Sequence, residues 1–234
     1  GKHAPDDVNL FPMTGTLEAD SIAPLLRRRL ASRLAAKMTP EPPAPRELIP
    51  LSVSRSPYFC SGCPHNSSTK APDGSLVGAG IGCHSMVMLM EPERRGNIVG
   101  ITSMGNEGAQ WFGIAPFVDT PHLIQNIGDG TLFHSGMTSV RAAIANGANI
   151  TYKILYNGAV SMTGGQEPFG QLDVLSLCRV FQAEGVAEII VTTEDLSRYR
   201  QSEVPAGIRV WGRGRLIEAQ EHLAQIPGCT VLIH

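Results

Sequence analysis

Asp129 and Asn157 each stand just beyond a short apolar run rich in β-branched residues, and their types suit a hard metal ion. The run Leu123–Ile127 leads straight into Gly128-Asp129-Gly130, and Ile150–Leu155 leads through Tyr156 to Asn157. Asp129 offers a carboxylate oxygen and Asn157 an amide oxygen, both ligands that Mg²⁺ accepts, and the backbone carbonyl of Ala159 is a third. Gly128 and Gly130 leave room for backbone amides to approach a phosphate, and the N-terminus of a following helix adds a favourable dipole. Together these residues could hold a metal-bridged diphosphate. A Gly-Asp-Gly alone is more often only a tight turn. Here 26 residues separate Gly130 from Asn157, close to the length of a strand–helix–strand crossover. The loop after Asn157, Ser161 to Gln166, is dense in small and hydroxyl side chains.

The cysteines make a second constellation. Cys60 and Cys63 form a C-x-x-C pair, and Cys83 follows after 19 intervening residues. Thiolates so spaced can hold an iron–sulfur cluster or zinc. Five cysteines, an odd number with one tight pair, argue against a secreted disulfide framework and for an intracellular, cytoplasmic chain. Cys178 and Cys229 sit among apolar neighbours and read as core. His65 and His84 each stand near one of the three candidate cysteines, and His134 follows Gly130 by four residues; each has the chemistry to donate a hydrogen bond or shuttle a proton. The plainer reading of all three is a local cap or turn contact.

These residues need a scaffold. Short apolar runs at Ile98–Ile101, Leu123–Ile127, Ile150–Leu155, Glu188–Thr192, Ile208–Trp211 and Cys229–Ile233 alternate with helix-like stretches at Gly136–Asn146, Val174–Gly185 and Gly214–Gln225. Strands apolar on both faces, separated by helices, predict an α/β three-layer sandwich with a mostly parallel central sheet. Asp129 and Asn157 would then lie at strand carboxyl ends, where open α/β sheets bind ligands. Residues 1–56 read as an N-terminal arm, with a helix over Ser21–Met38 and a Pro-rich linker over Pro40–Pro50 that cannot continue it; residues 57–234 read as the binding domain. A net charge of −2 gives no reason to expect nucleic acid or an anionic membrane, and no apolar run approaches a bilayer-spanning length.

GDGTLFHSG followed by YNGAVSMTGGQ resembles the thiamine diphosphate (ThDP)-binding domain of the indolepyruvate ferredoxin oxidoreductases, members of the 2-oxoacid:acceptor oxidoreductases. The spacing from GDG to Asn157 is the one found in ThDP enzymes. The resemblance extends to PYFCSGCPHNSSTK, GAGIGCHSM and MGNEGAQWFGIAPF, covers residues 57–194 strongly, and is greatest to the long fused form of the enzyme. It implies the ThDP-binding fold, with Gly128, Asp129, Gly130, Thr131, Asn157, Ala159, Met162 and Thr163 at the cofactor. Mg²⁺ would be held by Asp129, Asn157 and Ala159. His65 is the expected catalytic side chain, and Gln166 is a further candidate contact. It also implies a [4Fe–4S] cluster on Cys60, Cys63 and Cys83, with a fourth cysteine either at Cys229 or, as favoured, beyond His234. Gly158-Ala159 departs from the acidic residue expected after the Asn. Glu107 invites a role as acid or base near the thiazolium, yet the glutamate that activates ThDP usually comes from a separate pyrimidine-binding domain. Nothing here is an obvious substitute for it. The implied activity is CoA-dependent oxidative decarboxylation of indolepyruvate or another arylpyruvate, with electrons passed to ferredoxin. Implied partners are the pyrimidine-binding domain and a 2-oxoacid oxidoreductase gamma-type domain, and the chain alone is expected to be inactive. A non-oxidative ThDP decarboxylase and a zinc-stabilised assembly module are the competing readings.

Overall fold

A computed structural model describes residues 11, 17–34, 37 and 56–234. The chain divides into two units, Gly1–Ser54 and Arg55–His234. The first unit contains helix α1, Ala19–Leu34, where Ser21–Met38 was expected. The Ser21 hydroxyl accepts from the Glu18 amide at 3.1 Å and donates to the Glu18 carbonyl at 2.8 Å, which fixes the start of the helix. Met38 and the Pro40–Pro50 linker lie outside the described residues.

The second unit runs α2 (His65–Ser68), β1 (Leu76–Ala79), α3 (Pro92–Arg95), β2 (Asn97–Ile101), α4 (Ala109–Ile114), β3 (Leu123–Gly128) and α5 (Asp129–Thr131). It continues α6 (Met137–Ala145), β4 (Ile150–Leu155), α7 (Val174–Glu184), β5 (Ile189–Thr193), β6 (Arg209–Gly212), α8 (Leu216–Ala224) and β7 (Cys229–Ile233). The strands form one sheet in the order β2-β1-β3-β4-β7-β5-β6, and every pairing is parallel. Gly128 pairs with Leu155, so the chain leaves β3 and β4 side by side at the carboxyl edge.

Helices cover both faces, as a three-layer sandwich requires. Alternate residues of the central strands, Leu123 and Ile127 on β3 with Ile150, Tyr152 and Ile154 on β4, pack with Trp111, Val140, Leu177 and Phe181 from α4, α6 and α7. On the other face Ile190 and Leu232 pack with Leu216, Ala219 and Leu223 of α8. The helices carry their own start and stop signals. Asp173 caps α7, accepting from the Ser176 amide at 3.0 Å, and Gly185 ends it at φ 93°, a left-handed conformation that glycine adopts without penalty.

Among the buried strand residues that break the apolar pattern, which include Gln125, Asn126, Thr151 and Thr230, one carries a charge. Lys153, in the middle of β4, is fully buried; its Nζ donates to the Lys70 carbonyl at 2.8 Å and to Gln220 Oε1 at 3.0 Å. Burial lowers its pKa to about 7. Between about pH 7 and the ordinary lysine range the unfolded chain therefore binds more protons than the folded one. Lys153 thus makes stability rise with pH across that window. Lys153→Met is expected to flatten this rise, measured as denaturation midpoints at pH 7 and 8.5 for the two proteins. Equal slopes would show that the amine is not titrating there.

Candidate cofactor site

The carboxyl ends of β3 and β4 enclose a cavity of about 390 Å³, and Asp129 anchors its wall. Asp129 is 2% exposed. Its Oδ1 accepts from the Gly130 amide at 2.8 Å; its Oδ2 accepts from the amides of Asn157 at 3.1 Å and Gly158 at 2.6 Å. The carboxylate thus ties the tip of β3 to the segment leaving β4. Burial pushes its pKa up, while the amides of Gly158, Gly130 and Asn157 pull it back. Gly158 has a structural reason to replace the expected acidic residue. It sits at φ 70°, and a Cβ would come within 3.1 Å of Gln171 Nε2.

Asn157 Oδ1 accepts from the Ala159 amide at 3.0 Å, and its Nδ2 donates to Ser161 Oγ at 3.2 Å. An amide oxygen carries two lone pairs, so Oδ1 keeps one for a cation. Asp129 Oδ1, which accepts a single bond, does too. A hard divalent ion fits this donor set. The two glycines differ in what surrounds them. The Gly130 amide is spent on Asp129, and a Cβ there would meet Val160 Cγ2 at 3.1 Å. A Cβ at Gly128 would meet only the His84 ring at an ordinary 3.7 Å.

The four residues Gly128–Thr131, together with Asn157, Ala159, Met162 and Thr163, line this one cavity. Thr131 is buried and its hydroxyl donates to the Ile81 carbonyl at 3.2 Å. Thr163 accepts from Gln166 Nε2 at 2.7 Å; Gln166 itself is not among the lining residues. His65, His84 and His134 line the cavity as well. His65 is buried with Nδ1 unpartnered, and burial lowers its pKa. His65 also borders a second cavity of about 620 Å³ between the ends of β4, β5 and β7. His134 is exposed, and its Nδ1 meets Ser135 Oγ at 2.8 Å. Ile81, Met104 and Phe169, absent from the candidate residues read in the sequence, add apolar wall and rim. Ile81 and Met104 each lay within a recognised motif. Ile81 follows β1, a strand that the apolar-run criterion did not find.

Cys60, Cys63 and Cys83 are free thiols. Asn66 Nδ2 donates to the carbonyls of Cys60 and Cys63 at 3.2 and 3.1 Å, holding that turn. Burial, then the neighbouring Cys63 and Cys60, pushes the Cys83 thiol up, so the three sense one another. Among the described residues, however, no group of three or more His, Cys, Asp or Glu is gathered closely enough to hold a metal ion. Cys229 cannot be the fourth ligand. It pairs with Ile150 at the amino end of the sheet, opposite the end that carries the cavity, and it is buried with Cys178 in the core.

A parallel doubly wound sheet with a carboxylate-anchored cavity beyond its strand ends is the architecture of a cofactor-binding enzyme domain. The chain belongs to the thiamine pyrophosphate enzyme family: the model of the C-terminal TPP binding domain matches residues 80–198. It is similar to indolepyruvate oxidoreductase subunit IorA from Methanothermobacter thermautotrophicus, 27% identical over 71% of this chain and 29% of that protein. The same subunit from Archaeoglobus fulgidus is 30% identical over 87% of this chain and 30% of that protein. The chain therefore spans about three-tenths of the length of these relatives. The fold matches a 2-oxoglutarate:ferredoxin oxidoreductase from Magnetococcus marinus, solved with 2-oxoglutarate, coenzyme A and succinyl-CoA bound. That match has a TM-score of 0.53 and 18% identity, over 77% of this chain and 64% of that one. No helix among the described residues is long and apolar enough to cross a membrane.

Proposed function

We propose that this chain holds Mg²⁺–ThDP as the diphosphate-binding part of a 2-oxoacid:ferredoxin oxidoreductase acting on indolepyruvate or another arylpyruvate. The observation that carries the reading is the Asp129 carboxylate locked to the Asn157 and Gly158 amides in one cavity. That arrangement leaves lone pairs of Asp129 and Asn157 available to one octahedral ion, with the Ala159 carbonyl as third ligand. When bound, ThDP supplies the nucleophilic carbon for attack on a 2-oxo group and the electron sink for loss of CO₂. The chain's own residues would hold the diphosphate, line the cavity with the apolar side chains of Ile81, Met104 and Met162, and offer His65 as a hydrogen-bonding group in its wall.

In such an enzyme oxidative decarboxylation would send two electrons singly to ferredoxin, and coenzyme A would take the acyl group. Cys60, Cys63 and Cys83 are the candidate ligands of a [4Fe–4S] cluster, which would need their thiols drawn closer together than this structure holds them and a fourth ligand from outside these residues. Their free thiols suit a reducing compartment, the cytoplasm. The pyrimidine-binding and gamma-type domains complete the site from the remaining length of such an enzyme.

Calorimetric titration with ThDP tests this reading. Binding is expected with Mg²⁺ and is lost on adding a chelator, while the chain alone reduces no methyl viologen in the presence of indolepyruvate. Tight binding without a divalent ion would overturn the metal assignment, and viologen reduction would overturn the half-site reading.

A further inference from the structure

Gly80 lies between two buried polar atoms that find no partner, His84 Nε2 and Glu107 Oε1. A Cβ at Gly80 would stand 3.1 Å from the first, 3.3 Å from the second and 2.9 Å from Glu107 Cγ. Both orphan atoms therefore face the same bare Cα. His84 is 2% exposed and Glu107 fully buried. Two such atoms left unpaired in the interior are costly, so the pair is expected to satisfy itself.

The other edge of the His84 ring points elsewhere. Its Nδ1 and Cε1 lie 2.9 and 3.0 Å from a Cβ built at Gly82, and both lie 3.7 Å from one built at Gly128. His84, Gly82 and Gly128 all line the cofactor cavity, whereas Glu107 does not. The imidazole thus spans from cavity to interior, with Glu107 at its inner end. Glu107 is itself held fast. Its Oε2 accepts from the Gly105 amide at 2.8 Å, and its carbonyl accepts from the Tyr152 hydroxyl at 2.9 Å.

We propose that Glu107 is a positioning residue for the cofactor site. Its carboxylic acid donates from Oε1 toward His84 Nε2, directly or through one water, so that His84 carries its own proton on Nδ1 and presents it to the cavity. A ring nitrogen's protonation is set by the hydrogen bond that the other nitrogen makes. An Nδ1–H at this edge is a donor matched to an anionic ligand such as a diphosphate. Burial favours the neutral acid at Glu107, raising its pKa against the pull of the Gly105 amide. The identity of the acceptor rests on the ThDP reading, and the tautomer does not.

The test is ¹⁵N imidazole spectroscopy of the full chain at pH 7, with and without Mg²⁺–ThDP, on wild type, Glu107→Gln and Glu107→Leu. Wild type is expected to show His84 protonated at Nδ1. Glu107→Gln keeps that tautomer because its amide also donates. Glu107→Leu brings in the Nε2–H form and raises the Kd for Mg²⁺–ThDP about tenfold, the scale of one lost hydrogen bond to a charged group. An Nε2–H tautomer in wild type, or an unchanged spectrum in Glu107→Leu, overturns the proposal. Should the leucine variant fail to fold, infrared difference spectra of wild type against Glu107→Gln decide it. A protonated-carboxyl band that disappears in Gln supports the proposal, and its absence from wild type overturns it. If the chain binds no ThDP, these spectra still decide the tautomer, so the two failures are distinguishable.

Discussion

Asp129→Ala is expected to abolish Mg²⁺-dependent ThDP binding, weakening it by a factor on the order of 10²–10³. Two losses combine. The cation loses its only carboxylate from this chain, and Mg²⁺ does not tolerate poor coordination geometry. The amides of Gly130, Asn157 and Gly158 also lose their common acceptor, so the segment that carries Asn157 is released from β3. Removing the charged partner of such a buried cluster typically costs about 3–5 kcal/mol, and each 1.4 kcal/mol is about tenfold in affinity. Asp129→Asn separates the two effects, since it retains an acceptor and deletes the charge. The pH dependence has a definite sign. Burial raises the Asp129 pKa, and the cation competes with the proton, so affinity falls with acidification beginning above the ordinary carboxylate range. In the cofactor-free chain the sign reverses. A raised carboxyl pKa contributes stability below the unfolded value and loses it as pH climbs through the folded one. Titrations at several pH values with both variants check this, and unchanged affinity in Asp129→Ala would remove the foundation of the functional reading.

How much of this was legible in the sequence depends on which physical signal each residue leaves. The runs that became β3, β4 and β7 carry apolar side chains on both faces, interrupted at Gln125, Asn126, Thr151, Lys153 and Thr230, because the sheet is parallel and covered on both sides. Reading them placed Asp129 and Asn157 at neighbouring strand tips. Strand β1 escaped notice. It is four residues long and contains Gly78, whose missing side chain makes room for Gln125; yet it leads directly into Gly80–His84 at the cavity. The helix expected near Gly136 begins at Asp129 instead, because α5 passes into α6 through a single π-helical turn at Leu132–Gly136, which disturbs the 3.6-residue period. Cys229 remained a possible ligand in sequence because nothing local shows that β7 inserts between β4 and β5. The His84–Glu107 pairing was equally hidden. Both residues drew attention singly, but their meeting depends on a glycine four residues before one and 27 before the other.

Gly108→Ala is the substitution expected to damage the fold most for its size, by roughly 3–5 kcal/mol. Gly108 sits at φ 82°, and a non-glycine residue in the left-handed region costs about 1–2 kcal/mol. The added Cβ would stand 2.7 Å from Ile150 Cδ1 and 2.8 Å from Tyr152 Oη. Both side chains are fully buried on β4, so neither can yield toward solvent. Overpacking of this kind costs about 1–3 kcal/mol. Moving the Tyr152 hydroxyl also breaks its bond to the Glu107 carbonyl, which adds about 1 kcal/mol or more. Against a total stability of about 5–15 kcal/mol, the expected melting temperature falls by roughly 10 °C, at about 2–4 °C per kcal/mol for a body of this size. Gly113→Ala, inside the helix that Gly108 precedes, supplies the control. A Cβ there meets nothing within 4 Å, so the more helix-favouring alanine is expected to leave stability level or slightly raise it. The contrast, read by thermal denaturation, isolates the contact with Tyr152 from helix propensity. If both variants melt with wild type, the loop bearing Glu107 is not pinned by β4. The rigid placement of Glu107 behind His84 would then lose its support.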